Sequence, residues 1–150
     1  MKYEFLKKYI AIDEKENDEW PCIFYPVTDE MIANAETRMN KVFPEELVEL
    51  YKTVGYGYFE DPEGFCINLL MSPKEIADFW TGEGDYFYAE EREFMNVEDM
   101  AFFEIESNNH IIIKTDGEFT GKIFYGSKKI ADNIEEFINK MFINTEYYMQ

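Results

Sequence analysis

Histidine is scarce in this chain of 150 residues, and the motifs of common catalytic and metal sites are absent. The single histidine, His110, has no nucleophile specified beside it, and no GxSxG sequence occurs, so Ser-His or Cys-His catalysis is not indicated. The sequence also lacks HExxH, paired CxxC and a DxDxDG loop, so we expect no metal site and no cofactor. The prediction is therefore a protein that is not an enzyme.

Basic residues are outnumbered by acidic ones, 14 against 32, which sets the formal net charge at −18. The lysines and arginines are scattered along the chain, so direct nucleic-acid binding is disfavoured and a basic partner is favoured. An alternative role for most of the carboxylates is to keep an aromatic-rich protein soluble. With 46% hydrophobic and 18% aromatic residues, the chain has enough apolar surface to fold despite its charge.

Cysteines and long apolar runs are equally limited. Cys22 and Cys66 lie in apolar surroundings without CxxC spacing, which predicts two buried, unpaired thiols. No stretch reaches the roughly 18 apolar residues of a membrane helix, and the N-terminal residues lack the apolar run of a secretory signal. We expect a cytoplasmic protein with no membrane contact, a single domain over 1–150, and a monomer or weak dimer.

The clearest pattern that is present lies between Thr28 and Phe59. Apolar residues at helical spacing predict a first helix, which Thr28 would cap and Asn40 would end in the left-handed conformation. A second helix is expected with Pro44 at its first position and a stop at Gly55. The apolar stripes of the two helices are Met31, Ile32, Ala35, Met39, Leu47, Leu50, Tyr51 and Val54.

This helix pair resembles the signature of the SMI1/KNR4 family, also called the SUKH superfamily. Met39-Asn40 stands where leucine-glycine is usual and Phe43-Pro44 where leucine-proline is usual, which keeps apolarity and helix-end geometry. The resemblance extends through a following strand and helix to Trp80 and covers roughly 28–142. The other matching positions are Ile32, Glu36, Gly55 and Gly57.

The remaining elements are predicted from caps, turns and apolar runs. Ser72 and Glu75 form a capping box that begins a short helix, and a last helix is expected near Asp132, with Glu135 as its box partner. Short connections favour antiparallel pairing, so the predicted class is α+β, a mainly antiparallel β-sheet with helices packed on one face. The segment 20–26 is expected to be an extended lead-in against the helix pair, and strands are expected at 65–71, 100–106, 110–114 and 122–125.

An acidic and aromatic set of residues is the candidate partner-binding surface. Tyrosine and tryptophan supply large contact area at low entropic cost, and carboxylates around them would steer a basic partner. The alternative is an ordinary solvated loop whose aromatic side chains turn inward. The set comprises Tyr56, Tyr58, Asp61, Glu63, Trp80, Glu83, Asp85, Tyr86, Tyr88, Glu90 and Glu91.

The family resemblance implies a function that composition only suggests. Many small bacterial members resemble immunity proteins, which bind a cognate toxin domain inside the producing cell. We therefore expect an intracellular antitoxin that occludes a basic toxin domain, such as a nuclease, with a carboxylate-rich surface. Two alternatives stay open: a regulatory protein-protein interaction scaffold, which the fungal members resemble, and a small-ligand-binding or hydrolytic domain.

Overall fold

The fold is built from helices and a single antiparallel sheet, as a computed structural model describes it for residues 2–11, 20–87 and 89–150. Four short 3-10 helices, Glu4–Tyr9, Gly84–Tyr86, Glu90–Phe94 and Tyr147–Met149, lie outside the main elements of this part of the chain. The helices are α1 (Asp29–Met39), α2 (Glu45–Thr53), α3 (Pro73–Thr81) and α4 (Ile134–Ile143). The strands are β1 (Cys22–Tyr25), β2 (Tyr56–Phe59), β3 (Leu69–Leu70), β4 (Asp99–Glu106), β5 (Asn109–Lys114), β6 (Ile123–Tyr125) and β7 (Lys128–Ala131).

The helix ends follow the capping residues of the sequence. The Thr28 hydroxyl accepts a hydrogen bond from the Met31 amide at 3.2 Å, and Asn40 ends α1 with a φ of 51°. Ser72 forms the predicted capping box of α3. Pro44, however, precedes the first residue of α2 as its cap.

The start of α4 lies one residue later than predicted. Asn133 is its N-cap, and the Asn133 side chain accepts a hydrogen bond from the Glu136 amide at 2.8 Å. The expected box of Asp132 and Glu135 is therefore wrong by one position. Asparagine is as good a cap as aspartate, so neighbouring Asp-Asn residues leave the choice to tertiary packing.

Strand order in the sheet equals chain order, and every neighbouring pair is antiparallel. The α+β class with an antiparallel sheet is confirmed. The strand expected at 65–71 is reduced to β3, because the Asp61 carboxylate binds the amides of Glu63, Phe65 and Cys66 and holds that stretch in a loop. Strand β7 was not predicted.

The lead-in expected against the helix pair is instead an edge strand, because β1 pairs along its length with β2. Gly57 permits this pairing, since a Cβ at that position would lie 1.9 Å from the Ile23 carbonyl oxygen.

The cysteines are both free. Cys22, on β1, is buried as predicted, but Cys66 is partly exposed in the loop that Asp61 organises, so its predicted burial is wrong.

Cross-strand register divides the sheet into two faces, since directly opposed residues point to the same side. The first face, which we call the core face, carries an apolar row that packs under α4, where the Phe137 and Phe103 ring centroids are 5.3 Å apart. The row on the core face is Phe24, Gly57, Leu70, Phe103 and Ile111. The row on the opposite side, which we call the outer face, is Ile23, Tyr58, Leu69, Glu104 and His110.

Helix packing is not restricted to the core face. Phe79, near the end of α3, packs its ring 4.6 Å from the His110 ring on the outer face.

Among the described residues, even the longest helix, the 11-residue α1, is far short of what a membrane crossing requires.

Candidate functional site

The outer face holds a groove of about 520 Å³, which we call the outer-face groove. Tyr58, Leu69 and Glu104 form its floor, because register aligns them across β2, β3 and β4. Glu75 reaches it from the first turn of α3, and Asp85 and Tyr86 reach it from the 3-10 helix Gly84–Tyr86. The groove therefore combines three carboxylates with two tyrosine rings.

None of the described residues that line this groove is a lysine or an arginine. The basic residues of the described part lie elsewhere, each with a carboxylate, carbonyl or aromatic partner. Arg38, for example, binds Asp78 at 2.6 Å and lies 3.5 Å from Glu83. Of the three groove carboxylates, Glu104 lies 3.3 Å from His110 Nε2, whereas Glu75 and Asp85 have no cationic partner among the described residues. The local potential is therefore negative.

The two tyrosines of the groove experience this potential. Burial raises the pKa of Tyr58, and the charge of Glu75 raises it further. For Tyr86, burial and the charges of Glu104 and Glu75 raise the phenol pKa well above its usual range. Both phenols therefore stay neutral, as hydrogen-bonding and aromatic surface beside fixed negative charge.

His110 lies on β5 at the outer face, beside Glu104 of β4, and its side chain is only 1% exposed. Its Nδ1 lies 2.9 Å from Glu91 Oε2, and its Nε2 lies 3.3 Å from Glu104 Oε1. Burial alone would lower the imidazole pKa, but the adjacent carboxylates of Glu104 and Glu91 outweigh it, and the pKa is raised. His110 thus joins β4 and β5 to the 3-10 helix Glu90–Phe94 through two carboxylates.

A second contact fixes that 3-10 helix to α3. The Arg92 guanidinium donates from Nε to the Phe79 carbonyl at 2.6 Å and from Nη2 to the Trp80 carbonyl at 3.4 Å. These are carbonyls of the last turn of α3, which have no helical partner of their own. Arg92 and His110 hold Glu90–Phe94 in place, and the Tyr86 ring packs 5.9 Å from the His110 ring. We call the two 3-10 helices Gly84–Tyr86 and Glu90–Phe94, which lie over the outer face, the cover.

In the described ranges, no three His, Cys, Asp or Glu side chains are grouped so that they could hold a metal ion. Glu91 and Glu104 face different nitrogens of the same imidazole. They therefore approach His110 from separate directions and do not share a common centre.

The structure distributes the eleven predicted surface residues over several environments. Tyr58, Asp85 and Tyr86 line the outer-face groove, and Glu91 binds His110. Glu83 lies beside Arg38, whereas Glu90 is exposed on the cover. Tyr88 lies outside the described residues.

The other predicted residues lie away from this groove. The Tyr56 ring packs 5.5 Å from the Tyr25 ring, and the Asp61 carboxylate binds backbone amides of its own loop. Lys41 Nζ lies 5.8 Å from the Trp80 ring centroid. Glu63 lines a separate cavity of about 260 Å³ beside the end of α4. As one continuous surface, the set remains a prediction.

Sequence reasoning missed Glu75, Glu104 and His110 as members of the site. Glu104 could have been found, since it is a charge that follows four apolar residues, Met100 to Phe103, within a predicted strand, and alternation places it on the other face of the sheet from Phe103. Glu75 was interpreted only as a capping residue. His110 was interpreted as structural or solvated, and its contacts support the structural role.

An α+β domain with this helix pair and sheet is the architecture expected of the resembled family, and comparison with known proteins agrees. The chain belongs to the SMI1 / KNR4 family (SUKH-1), whose model matches residues 26–140. It is similar to a curated protein of Bacillus subtilis (strain 168) named Immunity protein YxxD, with 33% identity over 153 residues, covering 99% of this chain and 96% of that protein. No solved structure matches the chain.

Proposed function

We propose that this protein is an immunity protein that binds a cognate toxin and blocks its activity. The observation that carries the proposal is the similarity to Immunity protein YxxD, which runs through 99% of this chain. Membership of the SMI1 / KNR4 family supports the same role. A similarity of this length extends beyond the helix pair to the sheet and cover, so it includes the outer face.

The toxin domain is proposed to be basic. The chain has 32 acidic and 14 basic residues, and its described basic residues already have partners, so the excess negative charge faces solvent. Such a surface accelerates association with a positively charged protein and disfavours acidic competitors. A toxin that acts on nucleic acid presents a suitable partner, because phosphate-binding surfaces are rich in lysine and arginine.

The proposed mechanism is stoichiometric occlusion within the cytoplasm. Carboxylates of the immunity protein occupy positions where substrate phosphates would otherwise bind, so the toxin loses access to its substrate. This mechanism needs neither a cofactor nor a chemical step by the immunity protein. Inhibition should then follow the molar ratio of the two proteins and weaken as salt screens the charges.

Co-expression with candidate toxin domains encoded by neighbouring genes tests the proposal. We expect cells that express the toxin to grow only when this protein is present, and the two proteins to purify together at a fixed ratio. A toxin from an unrelated system serves as the control and should not be neutralised. Absence of both protection and complex formation would reject the proposed function.

A further inference from the structure

We propose that the outer-face groove binds an arginine side chain of the toxin, with the guanidinium facing the carboxylates of Glu75 and Asp85 above a floor that includes Glu104. This inference rests on the proposed function, because it names the chemical group of the partner that this face takes. It also assigns the docking surface to one side of the sheet. The core face is not available to a partner, since Phe24, Leu70, Phe103 and Ile111 are all buried there.

The first argument is unsatisfied charge. Glu75 accepts a hydrogen bond from the Ser72 amide at 3.2 Å, which leaves its second oxygen available, and Asp85 is exposed. Neither carboxylate has a cationic partner among the described residues, in contrast to Asp78 on the same helix, which binds both Arg38 and Lys74. A cation from outside the chain would complete the charge balance of the groove.

The second argument is the shape and chemistry of the walls. Tyr58 and Tyr86 line the groove together with Ile67 and Leu69, so aromatic and aliphatic surface adjoins the carboxylates. A guanidinium stacks on aromatic rings, binds carboxylates with two parallel hydrogen bonds, and is easier to dehydrate than an ammonium. The aliphatic stem of arginine would lie along the apolar wall. The groove is therefore better suited to arginine than to lysine.

The third argument is exposed apolar surface at the entrance. Tyr58 is 41% exposed and Ile67 42%, and Phe65, two residues earlier in the same loop, is 78% exposed. The Asp61 carboxylate fixes this loop through the Phe65 and Cys66 amides, so the exposed side chains are held in place. Apolar side chains around a charged pocket are typical of a protein-binding surface, where they exclude water from the central contact.

The test uses short peptides as probes of the full chain. Tetra-arginine and tetra-lysine peptides with blocked termini are titrated into isotopically labelled protein, and backbone amide shifts are followed by NMR. We expect the largest shifts from tetra-arginine at the amides of Tyr58, Leu69, Asp85, Tyr86 and Glu104, and weaker binding of tetra-lysine. Shifts spread over the whole acidic surface, or equal affinity for the two peptides, would overturn the assignment.

Two double variants separate the groove from general charge. E75Q/D85N removes two groove charges, and glutamine preserves the capping box; E30Q/E118Q removes two exposed charges on α1 and in the β5–β6 turn. We expect tetra-arginine affinity to fall about tenfold in the first variant and less than about twofold in the second. Equal losses would overturn the groove assignment. If E75Q/D85N proves unstable, the wild-type NMR map decides the question alone.

The result is independent of the co-expression experiment. Protection from the toxin by both double variants, together with dispersed NMR shifts, would reject the groove but preserve the immunity function. Localised NMR shifts without any protection by the wild-type protein would reject the immunity function but preserve an arginine-binding groove.

Discussion

The two faces of the sheet are built from successive residues of the same strands, yet they have different compositions and different surroundings. Phe103 and Ile111 are fully buried on the core face, where Phe103 packs on Phe137 of α4. The adjacent residues on the same strands, Glu104 and His110, carry titratable groups on the outer face. The comparison shows that alternate positions of one strand can supply apolar core on one side and titratable groups on the other, and our proposal assigns recognition to the second side.

Removal of a core-face ring should have the largest effect. We expect Phe103→Ala to lower the free energy of unfolding by about 3–5 kcal/mol, because it leaves a cavity beside Phe137. Tyr58→Ala on the outer face, where the side chain is 41% exposed, should cost only about 1 kcal/mol. Urea unfolding measures the change in unfolding free energy for each variant. Similar decreases for the two variants would contradict the distinction between the faces.

His110→Gln is expected to have the next largest effect. Without the imidazole, Glu91 and Glu104, whose side chains are only 18% and 12% exposed, would lose their shared partner. The loss should be about 3 kcal/mol, because it leaves buried charges uncompensated. Hydrogen exchange should accelerate first in Glu90–Phe94, whereas Glu90→Gln, at an exposed neighbour, should change little. Unchanged exchange in that helix would contradict the bridging role.

The same histidine should make stability depend on pH. Because the pKa of His110 is raised in the folded protein, its contribution is fully present below about 6.5 and is lost as pH rises through the folded pKa. The difference in unfolding free energy between wild type and His110→Gln should therefore shrink toward alkaline pH. A difference that grows with pH would mean that the imidazole is neutral when folded.

The smallest effects on stability are expected at the capping box of α3. They distinguish the capping role of Glu75 from its proposed role in binding. Ser72→Ala should cost about 1 kcal/mol, since it removes the cap of α3. Glu75→Gln should leave stability nearly unchanged, because glutamine also completes a capping box, but it should weaken partner binding. Thermal unfolding monitored alongside binding distinguishes these outcomes. Equal destabilisation by both changes would mean that Glu75 acts in stability alone.

Local signals in the sequence were sufficient for most of the fold. Thr28, Ser72 and Asn40 have short-range roles, so their positions in the chain predicted the ends of α1 and α3 correctly. Strand limits depend on distant partners. The apolar run 65–71 reads as a strand, but Asp61 captures its first amides, and only Leu69–Leu70 pairs within β3.

The candidate site was only partly predictable, because it depends on register. Tyr58, Glu104 and His110 are far apart in the chain, and only the pairing of β2 through β5 brings them to one face. Composition drew attention to Asp85 and Tyr86, which line the groove in the structure. It could not distinguish them from Asp61, whose carboxylate binds its own loop.

The most direct test of the outer face as the partner-binding face is the affinity of the toxin for matched variants. Calorimetric titration would compare the wild-type protein with E75Q/D85N and with E30Q/E118Q. We predict that the groove variant binds about tenfold more weakly and that the control variant stays within about twofold of wild type. Equal affinities for the two variants would contradict the assignment of recognition to the outer face.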